Sequence, residues 1–281
     1  MSACILDGKR LAEDSIKQVR TYLTNYGRPI PSLHIITLGD DEASKVYVEQ
    51  KKKVAQRCGI NCHHHKFKPT DTTRNVVEFI KKLNDDPSVT GIMVQLPIFY
   101  GFNQQAIIQA IDPKKDVDGL TFENMGRLSY DDGALAPCTA IGIMQMLKEY
   151  EDGVAGKNVV IVGRSHLVGK PLAMMLTNAN ATVTLCHSWT KNLASITKKA
   201  DILIVAIGDP NKITAKMVKK GATVIDVGIT RVNGKLTGDV DYESVKEVAG
   251  SITPVPGGVG PMTVAMLMVN VCNAQYIQMK G

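Results

Sequence analysis

Aromatic residues are scarce in this sequence: Phe, Trp and Tyr make up only 5% of its 281 residues. Proteins that bind single-stranded nucleic acid stack bases on aromatic side chains, and other nucleic-acid binders carry a dense basic stripe. The net charge of +6 is a modest basic excess without such a stripe. We therefore expect no nucleic-acid partner, while the basic excess favours an anionic substrate or cofactor.

The sequence also lacks long apolar runs. No apolar stretch approaches the roughly 18 residues that a membrane-spanning helix requires, and the N-terminus has no basic-then-apolar signal layout. Hydrophobic residues still make up 44% of the chain, which is enough to bury a large core. These features predict a soluble, cytoplasmic protein with no membrane partner.

Cysteine is infrequent, and the six cysteines are spread along the chain, which suits a reducing compartment better than a disulfide framework. One stretch, residues 58–65, does combine Cys58 and Cys62 with three histidines, as zinc sites do. No second Cys/His pair follows at a zinc-finger spacing. We therefore interpret residues 62–67 as a strand whose imidazoles alternate between two faces, and we expect no metal site.

Helix and strand patterns alternate along the chain, which predicts parallel sheets covered by helices. In the first series, helices are predicted over residues 9–27, around Tyr47 and Lys51, and over 72–84, and strands over 31–39, 61–67 and 91–97. In the second, a helix is predicted over 140–150, strands over 157–163, 181–186, 201–206 and 223–227, and an apolar helix over 262–271.

These patterns predict an α/β protein of two domains with parallel-sheet cores. The first domain covers residues 1–138 and is completed by a C-terminal helix at 262–281, and a Rossmann-like second domain covers 139–261. We expect an active-site cleft between them. Because ligands of open α/β sheets lie beyond the carboxyl ends of the strands, residues 39–44, 95–97 and 112–119 are candidates for a site.

Tyr47 and Lys51 stand four residues apart in a predicted helix, so a phenol and an amine share one face. In a partly dry site an ammonium has a lowered pKa and exchanges protons near neutral pH, while an adjacent ring stacks on a flat substrate. The spacing favours a catalytic pair. It is also common on solvated helix faces, and Lys52 and Lys53 follow directly.

A glycine-containing turn, Gly163-Arg164-Ser165-x-x-Val168-Gly169, joins a predicted strand to a helix, where backbone N–H groups can bind a pyrophosphate. The next strand ends in Cys186-His187-Ser188-Trp189-Thr190, without the Asp or Glu that binds the ribose 2′-hydroxyl of NAD. Arg164 and Ser188 suit a 2′-phosphate instead, so we predict NADP as the cofactor. The alternatives are a plain strand-to-helix turn and a helix N-cap at Ser188.

Six short motifs follow one another along the chain: Tyr47-x-x-x-Lys51, Val94-Gln95-Leu96-Pro97, Asp116-Val117-Asp118-Gly119-Leu120, Pro137-Cys138-Thr139, Gly163-Arg164-Ser165-x-x-Val168-Gly169-x-Pro171 and Pro254-Val255-Pro256-Gly257-Gly258-Val259-Gly260-Pro261-Met262-Thr263. Together they resemble the bifunctional methylenetetrahydrofolate dehydrogenase/cyclohydrolase family. The resemblance implies NADP-dependent oxidation of 5,10-methylenetetrahydrofolate to 5,10-methenyltetrahydrofolate, and hydrolysis of that product to 10-formyltetrahydrofolate.

The resemblance also implies roles for individual residues. Lys51 transfers protons during hydrolysis, Gln95 tunes it through a hydrogen bond, and Tyr47 stacks on the folate. Asp118 holds the pterin, because a carboxylate pairs with amino and ring N–H donors. The alternative is that Asp118 is a surface-loop residue. The implied folate-binding residues are Tyr47, Val94, Gln95, Leu96, Pro97, Asp118, Pro256, Gly257 and Gly258. The implied NADP-binding residues are Gly163, Arg164, Ser165, Val168, Gly169, His187, Ser188, Thr190, Gly208, Ile229, Gly260 and Thr263.

The implied partners are tetrahydrofolate derivatives, including polyglutamated forms, and a second copy of the chain in a homodimer. Two positions depart from the family pattern: Ala140 stands where a second proline often follows Pro-Cys-Thr, and Trp189 is an unusual aromatic in its His-Ser-x-Thr stretch.

Three other functions fit parts of the sequence. Some relatives are dehydrogenases only, but they lack the lysine at position 51. Short-chain dehydrogenases use the same Tyr/Lys pair, yet their glycine-rich loop precedes it, whereas here Gly163 follows Lys51. A third alternative is a regulatory nucleotide-binding module without catalysis, whose first domain docks a partner through its basic helix.

The cofactor assignment predicts that Arg164→Ala weakens the binding of NADP⁺ by roughly tenfold or more, because a charge-assisted hydrogen bond to the 2′-phosphate is lost. NAD⁺, which has no 2′-phosphate, should bind the variant about as well as the wild type. Titration calorimetry with both cofactors measures the two losses, and equal losses would refute the role of Arg164.

Overall fold

The computed structural model describes residues 3–25, 29–39, 42–133, 135–151 and 153–280, apart from the side chains of 42–44. The chain divides into two compact units. The three-stranded unit comprises Glu13–Cys138 and Val264–Gly281, and the six-stranded unit comprises Met1–Ala12 and Thr139–Thr263. The end of the predicted first helix, at 26–27, and part of the predicted loop 39–44, at 40–41, lie outside the described residues.

The predicted alternation of helices and strands is confirmed. In chain order the elements are β1 (Cys4–Ile5), α1 (Gly8–Asn25), β2 (Ser32–Leu38), α2 (Glu42–Cys58), β3 (Asn61–Phe67), α3 (Thr73–Asp85), β4 (Gly91–Val94), α4 (Gln104–Gln109), α5 (Phe122–Ser129), α6 (Cys138–Tyr150), β5 (Asn158–Val162), α7 (Gly169–Asn178), β6 (Thr182–Cys186), α8 (Leu193–Thr197), β7 (Ile202–Val205), β8 (Thr223–Asp226), β9 (Thr230–Val232), β10 (Lys235–Thr237), α9 (Tyr242–Val245), β11 (Ser251–Ile252) and α10 (Val259–Lys280). The sequence patterns did not indicate several short elements, among them β1, α4, α5, α9, β11 and the β9–β10 hairpin.

The sheet of the three-stranded unit has the order β3-β2-β4, and both strand pairs are parallel. α3 begins at a capping box, in which Thr72 Oγ1 accepts a hydrogen bond from Asn75 N and Asn75 Oδ1 accepts one from Thr72 N. Its apolar residues Val76, Ile80 and Leu83 recur at helical spacing and are buried in the core of this unit.

A buried lysine caps the other end of α3. Lys115 is only 5% exposed, and its Nζ donates to the main-chain carbonyls of Leu83, Asn84 and Asp86 at 3.1, 2.7 and 2.7 Å. These carbonyls lie at the C-terminal end of the helix, where a cation satisfies unpaired acceptors and the negative end of the helix dipole. Lys115 therefore ties α3 to the segment that precedes Asp116 and Asp118.

α10 supplies polar side chains to the three-stranded unit. Gln275 Nε2 donates to Pro29 O at 2.7 Å, and Gln278 Nε2 donates to Thr90 O at 2.7 Å. These contacts satisfy main-chain acceptors at the amino ends of β2 and β4.

None of the helices in the described ranges combines the length and the apolar character that crossing a bilayer demands.

The sheet of the six-stranded unit has the order β1-β11-β8-β7-β5-β6, and every pair in it is parallel. β5 lies between β6 and β7. The connection after β5 leads to β6 on one side of β5, and the connection after β6 leads back to β7 on the other side. Ligands bind beyond the carboxyl ends of the strands at such a switch point. This sheet therefore has the Rossmann-like order that the sequence predicted.

The N-terminal residues differ from the predicted domain division. Met1–Ala12 belongs to the six-stranded unit, although the sequence patterns grouped it with the first domain. The reason is that β1 pairs with β11 in parallel, with Cys4 opposite Ser251 and Ile5 opposite Ile252. A two-residue strand carries no periodic signal of its own, so this long-range pairing could not be predicted.

We expect Lys115→Met to lower the free energy of unfolding by about 2–4 kcal/mol, because buried carbonyls lose their donor. The matched control is Lys114→Met, which removes an exposed lysine next to it and should change stability by less than about 0.5 kcal/mol. Urea denaturation of both variants measures the difference, and equal midpoints would contradict the capping role.

Candidate active site

Lys51 and Gln95 meet in the three-stranded unit. Lys51 projects from α2, and Gln95 follows the last residue of β4. Lys51 Nζ donates to Gln95 Oε1 at 2.8 Å and lies 3.8 Å from Met93 Sδ. Gln95 is 8% exposed, and its Nε2 donates to Leu96 O at 2.7 Å, so its amide is held at both ends.

Burial controls the charge of Lys51. Loss of hydration lowers the pKa of the Lys51 ammonium, while the neighbouring Asp118, Cys138 and Cys62 oppose this by raising it. Burial likewise raises the pKa of Asp118, and the charge of Lys51 lowers it. A lowered pKa makes the Lys51 amine a better candidate for accepting and returning protons than a lysine in water.

Two polar residues hold the Asp118 segment: Asn270, which the sequence did not single out, and Asp116, which belongs to a sequence motif but was given no role of its own. Asn270 on α10 is 1% exposed, and its Nδ2 donates to Val117 O and to Ala136 O, at 2.9 Å each. Asp116 Oδ2 accepts from Thr121 N at 2.8 Å and from Asn124 Nδ2 at 3.0 Å. The only sequence signal for Asn270 is a polar residue within an apolar helix, which does not reveal its partners.

The other predicted folate-binding residues fall into two groups. Tyr47 lies one turn before Lys51 on α2 and is partly exposed, Val94 is the buried last residue of β4, and Leu96 and Pro97 follow Gln95 with increasing exposure. Pro256, Gly257 and Gly258 belong instead to the six-stranded unit. There Lys9 N donates to Gly257 O at 3.0 Å, and a Cβ at Gly8 would lie 1.9 Å from Gly258 O.

The turn from β5 to α7 leaves no room for side chains at two positions. A Cβ at Gly163, whose φ is +124°, would lie 2.1 Å from Ala206 O, and a Cβ at Gly169 would lie 1.9 Å from Gly163 O. Arg164 and Ser165 are exposed, and Val168, the N-cap of α7, makes no side-chain cap. Val168 N donates to Ser165 Oγ at 3.2 Å and Lys170 N donates to Ser165 O at 3.0 Å, so Ser165 orders the turn at the start of α7. A glycine-containing turn that leads into a helix N-terminus without a side-chain cap fits a pyrophosphate.

The turn after β6 is closed by its own hydrogen bonds. His187 N donates to Thr190 Oγ1 at 2.9 Å, Thr190 N donates to His187 O at 2.8 Å, and Ser188 is exposed between them. The alternative interpretation of Ser188 as a helix N-cap is wrong, because α8 begins at Leu193 and its N-cap is Asn192. Ser188 is thus available for a ligand at the carboxyl end of β6.

The remaining predicted cofactor residues also lie in the six-stranded unit. Gly208 and Ile229 follow the carboxyl ends of β7 and β8, and both are exposed. A Cβ at Gly260, in the first turn of α10, would lie 4.0 Å from Ile229 Cδ1. Thr263 Oγ1 lies 3.1 Å from Thr139 Oγ1. The structure thus distributes the predicted NADP set along one edge of the sheet and the start of α10.

The histidines near Cys62 lie on β3, as the sequence predicted. His63 and His65 stack on His34 of β2, with ring centroids 4.6 and 5.1 Å apart, whereas His64 Nε2 lies 2.9 Å from Thr37 Oγ1. Burial and these neighbouring imidazoles lower the pKa of His34 to about 4. Within the described ranges, no three His, Cys, Asp or Glu side chains are grouped so that they could hold a metal ion.

Comparison with known families and proteins covers both units. Residues 6–118 match the family described as tetrahydrofolate dehydrogenase/cyclohydrolase, catalytic domain, and residues 137–279 match tetrahydrofolate dehydrogenase/cyclohydrolase, NAD(P)-binding domain. The bifunctional protein FolD of Halalkalibacterium halodurans is 49% identical over 277 residues, which are 98% of this chain and 99% of that protein.

Solved structures agree along the whole chain. The bifunctional methylenetetrahydrofolate dehydrogenase/cyclohydrolase FolD from Campylobacter jejuni matches with a TM-score of 0.95 and 42% identity, and the match covers 98% of this chain and 100% of that one. The Trypanosoma brucei methylenetetrahydrofolate dehydrogenase-cyclohydrolase, solved in complex with NADP cofactor and an inhibitor, matches with a TM-score of 0.93 and 33% identity over 100% of both chains.

Proposed function

The chain belongs to the tetrahydrofolate dehydrogenase/cyclohydrolase family, and we propose that it oxidises 5,10-methylenetetrahydrofolate with NADP⁺ and hydrolyses the methenyl product to 10-formyltetrahydrofolate. The observation that carries this proposal is the desolvated Lys51, held at 2.8 Å from Gln95 in a chain that contains both family domains. Hydrolysis requires a base, and oxidation does not. Lys51 therefore weighs against a dehydrogenase-only function.

In the oxidation, the lone pair of a substrate ring nitrogen expels hydride from the bridging carbon, and methylene becomes methenyl. NADP⁺ supplies the hydride acceptor when it is bound. The glycines at 163 and 169 let the backbone approach the pyrophosphate, and Arg164 and Ser188 suit the 2′-phosphate. The protein contributes mainly alignment to this step.

In the hydrolysis, a water oxygen bonds to the methenyl carbon and must lose a proton. Neutral Lys51 accepts that proton, which leaves a hydroxyl on the carbon. As the bond from the carbon to the ring nitrogen breaks, the nitrogen takes up a proton and the hydroxyl loses its own to become the formyl oxygen, so one proton is released to solvent overall. Gln95 Oε1 keeps the Lys51 amine oriented without adding a charge that would raise its pKa. Asp118 accepts hydrogen bonds from the pterin, and Tyr47 stacks on it.

Other properties of the enzyme are also proposals. The six cysteines, spread along the chain, suit a reducing compartment and support a cytoplasmic location, and the family resemblance supports a homodimer. The excess of positive charge supports binding of polyglutamated folates.

We expect Lys51→Met to lower the rate of methenyltetrahydrofolate hydrolysis by at least about 100-fold, because a general base is removed. Binding of NADP⁺ should survive.

In the wild type the hydrolysis rate should rise with pH until it levels off above the lowered pKa of Lys51, because only the neutral amine accepts a proton. The decay of methenyltetrahydrofolate absorbance across a pH series measures both effects.

The matched control is Lys52→Met, one residue along α2, which removes an ammonium paired with Glu49 at 2.7 Å. Its hydrolysis rate should stay within about twofold of the wild type, since surface ion pairs contribute little. Wild-type hydrolysis in Lys51→Met would exclude Lys51 as the base. Absence of both activities from the wild-type protein would refute the proposed function itself.

A further inference from the structure

Exposed apolar side chains follow the strand ends of the six-stranded unit. Leu167, Ile207 and Ile229 come after β5, β7 and β8 and are 37–44% exposed, and Trp189, after β6, is 82% exposed. The strand order is β8-β7-β5-β6. Along the carboxyl edge of the sheet, the side chains therefore follow one another in the spatial order Ile229, Ile207, Leu167 and Trp189. Neighbouring strands are about 4.8 Å apart, so the row covers roughly 14 Å.

Trp189 occupies the end of this row, over the edge strand β6. Its main chain is held by the turn after β6, where Trp189 N donates to His187 Nδ1 at 3.2 Å. The indole itself projects into solvent. An exposed indole beside a phosphate-binding turn offers a flat face for a heteroaromatic ring.

The proposed function fixes which end of NADP lies there. The pyrophosphate belongs to the β5–α7 turn and the 2′-phosphate to Ser188, one residue before Trp189. The base attached to that ribose must therefore lie beyond β6. We propose that Trp189 is the stacking platform for the adenine of NADP; this inference rests on the proposed function.

Trp189 is the only tryptophan in the chain, so its fluorescence reports directly on this contact. Adenosine 2′,5′-bisphosphate and NADP⁺ should quench it, whereas nicotinamide mononucleotide should not, after correction for absorbance. By calorimetry, Trp189→Ala should weaken NADP⁺ binding roughly 5- to 50-fold, as expected for the loss of base–aromatic stacking. Trp189→Phe should recover most of the affinity.

The matched control is Tyr130→Ala, which removes another highly exposed aromatic residue from the three-stranded unit and should leave NADP⁺ affinity unchanged. Wild-type affinity in Trp189→Ala, or quenching by nicotinamide mononucleotide alone, would overturn the inference. If the wild-type protein binds no NADP⁺ by calorimetry, the proposed function fails instead.

A different set of contacts lies beneath the same edge. Asp226, the last residue of β8, is 3% exposed; its Oδ1 accepts from Gly228 N and Asp239 N at 2.9 and 3.0 Å, and its Oδ2 accepts from Val240 N at 2.9 Å. Asp226 N donates to Thr253 Oγ1 at 2.8 Å. Asp226 thus links the loops that follow β8 and β11.

Asp239 continues this link to the loop after β7. It is 0% exposed, and its Oδ2 accepts from Ile207 N at 2.7 Å and from Gly208 N at 3.0 Å. Two glycines make the contacts possible: a Cβ at Gly238 would lie 1.9 Å from Asp226 Oδ2, and one at Gly228 would lie 2.4 Å from Asp239 Oδ1. No donor within the described ranges reaches Asp239 Oδ1.

The carboxyl groups of Asp226 and Asp239 are both buried, and the two residues are joined by the hydrogen bond from Asp239 N to Asp226 Oδ1. Burying two carboxyl groups costs free energy, and burial raises the pKa of Asp226 to about 6. Their hydrogen bonds end on the main chain of Ile207 and Gly208, at the carboxyl end of β7 and next to the switch point. We infer that Asp239, oriented by Asp226, is a positioning residue that sets this main chain for NADP binding.

Asp239→Ala should raise both the Kd and the KM for NADP⁺ by roughly tenfold or more, while methenyltetrahydrofolate hydrolysis, which uses no NADP⁺, stays within about twofold. Asp239→Asn should recover most of the affinity, because an amide oxygen can accept both N–H groups. Asp226→Asn, which keeps only one oxygen where two are used, should raise the Kd several-fold.

The matched control is Asp241→Ala, which removes a nearby helix-capping aspartate and should leave the Kd for NADP⁺ unchanged. Unchanged NADP⁺ affinity in Asp239→Ala and Asp226→Asn would overturn the inference. So would a parallel loss of both activities in the two variants, since that result indicates a purely structural role.

Discussion

The arrangement of side chains around Lys51 in the three-stranded unit depends on the desolvation of the Lys51 ammonium group. In the proposed hydrolysis Lys51 acts as a base only if desolvation keeps its pKa low, and an ammonium taken out of water needs a hydrogen-bond acceptor in place of water. Gln95 supplies a neutral acceptor at 2.8 Å, and Leu96 O holds the amide of Gln95 in turn. A carboxylate at the position of Gln95 would satisfy Lys51 equally well but would raise its pKa and retain the proton.

The surrounding main chain is held by polar groups outside the proposed catalytic set. Asn270 connects the Val117 and Ala136 carbonyls, and Lys115 connects the C-terminal end of α3 to the same segment. Each buried polar atom in these contacts meets a complementary partner, which makes the arrangement specific. Asp118 therefore has a defined place relative to Lys51, although it lies in an irregular segment after β4.

The six-stranded unit meets a different requirement: its main-chain atoms must come close to a phosphorylated ligand. Gly163 and Gly169 have no space for a Cβ, and the start of α7 has no side-chain cap. Both features were predictable, because a strand, two glycines and a helix are consecutive in the sequence. The aspartates at 226 and 239 were not, since they act through main-chain partners separated from them by intervening loops.

The sequence by itself determined the alternation of strands and helices, the NADP-type turn, and the identity of Lys51, Gln95 and Asp118 as candidates. These depend on local periodicity and on motifs whose residues are neighbours in the chain. Only the tertiary structure decided that β1 joins β11, that Lys115 caps α3, and that Asp239 holds the Ile207–Gly208 main chain. Such contacts join segments tens to hundreds of residues apart, and their energies depend on burial, which no local pattern encodes.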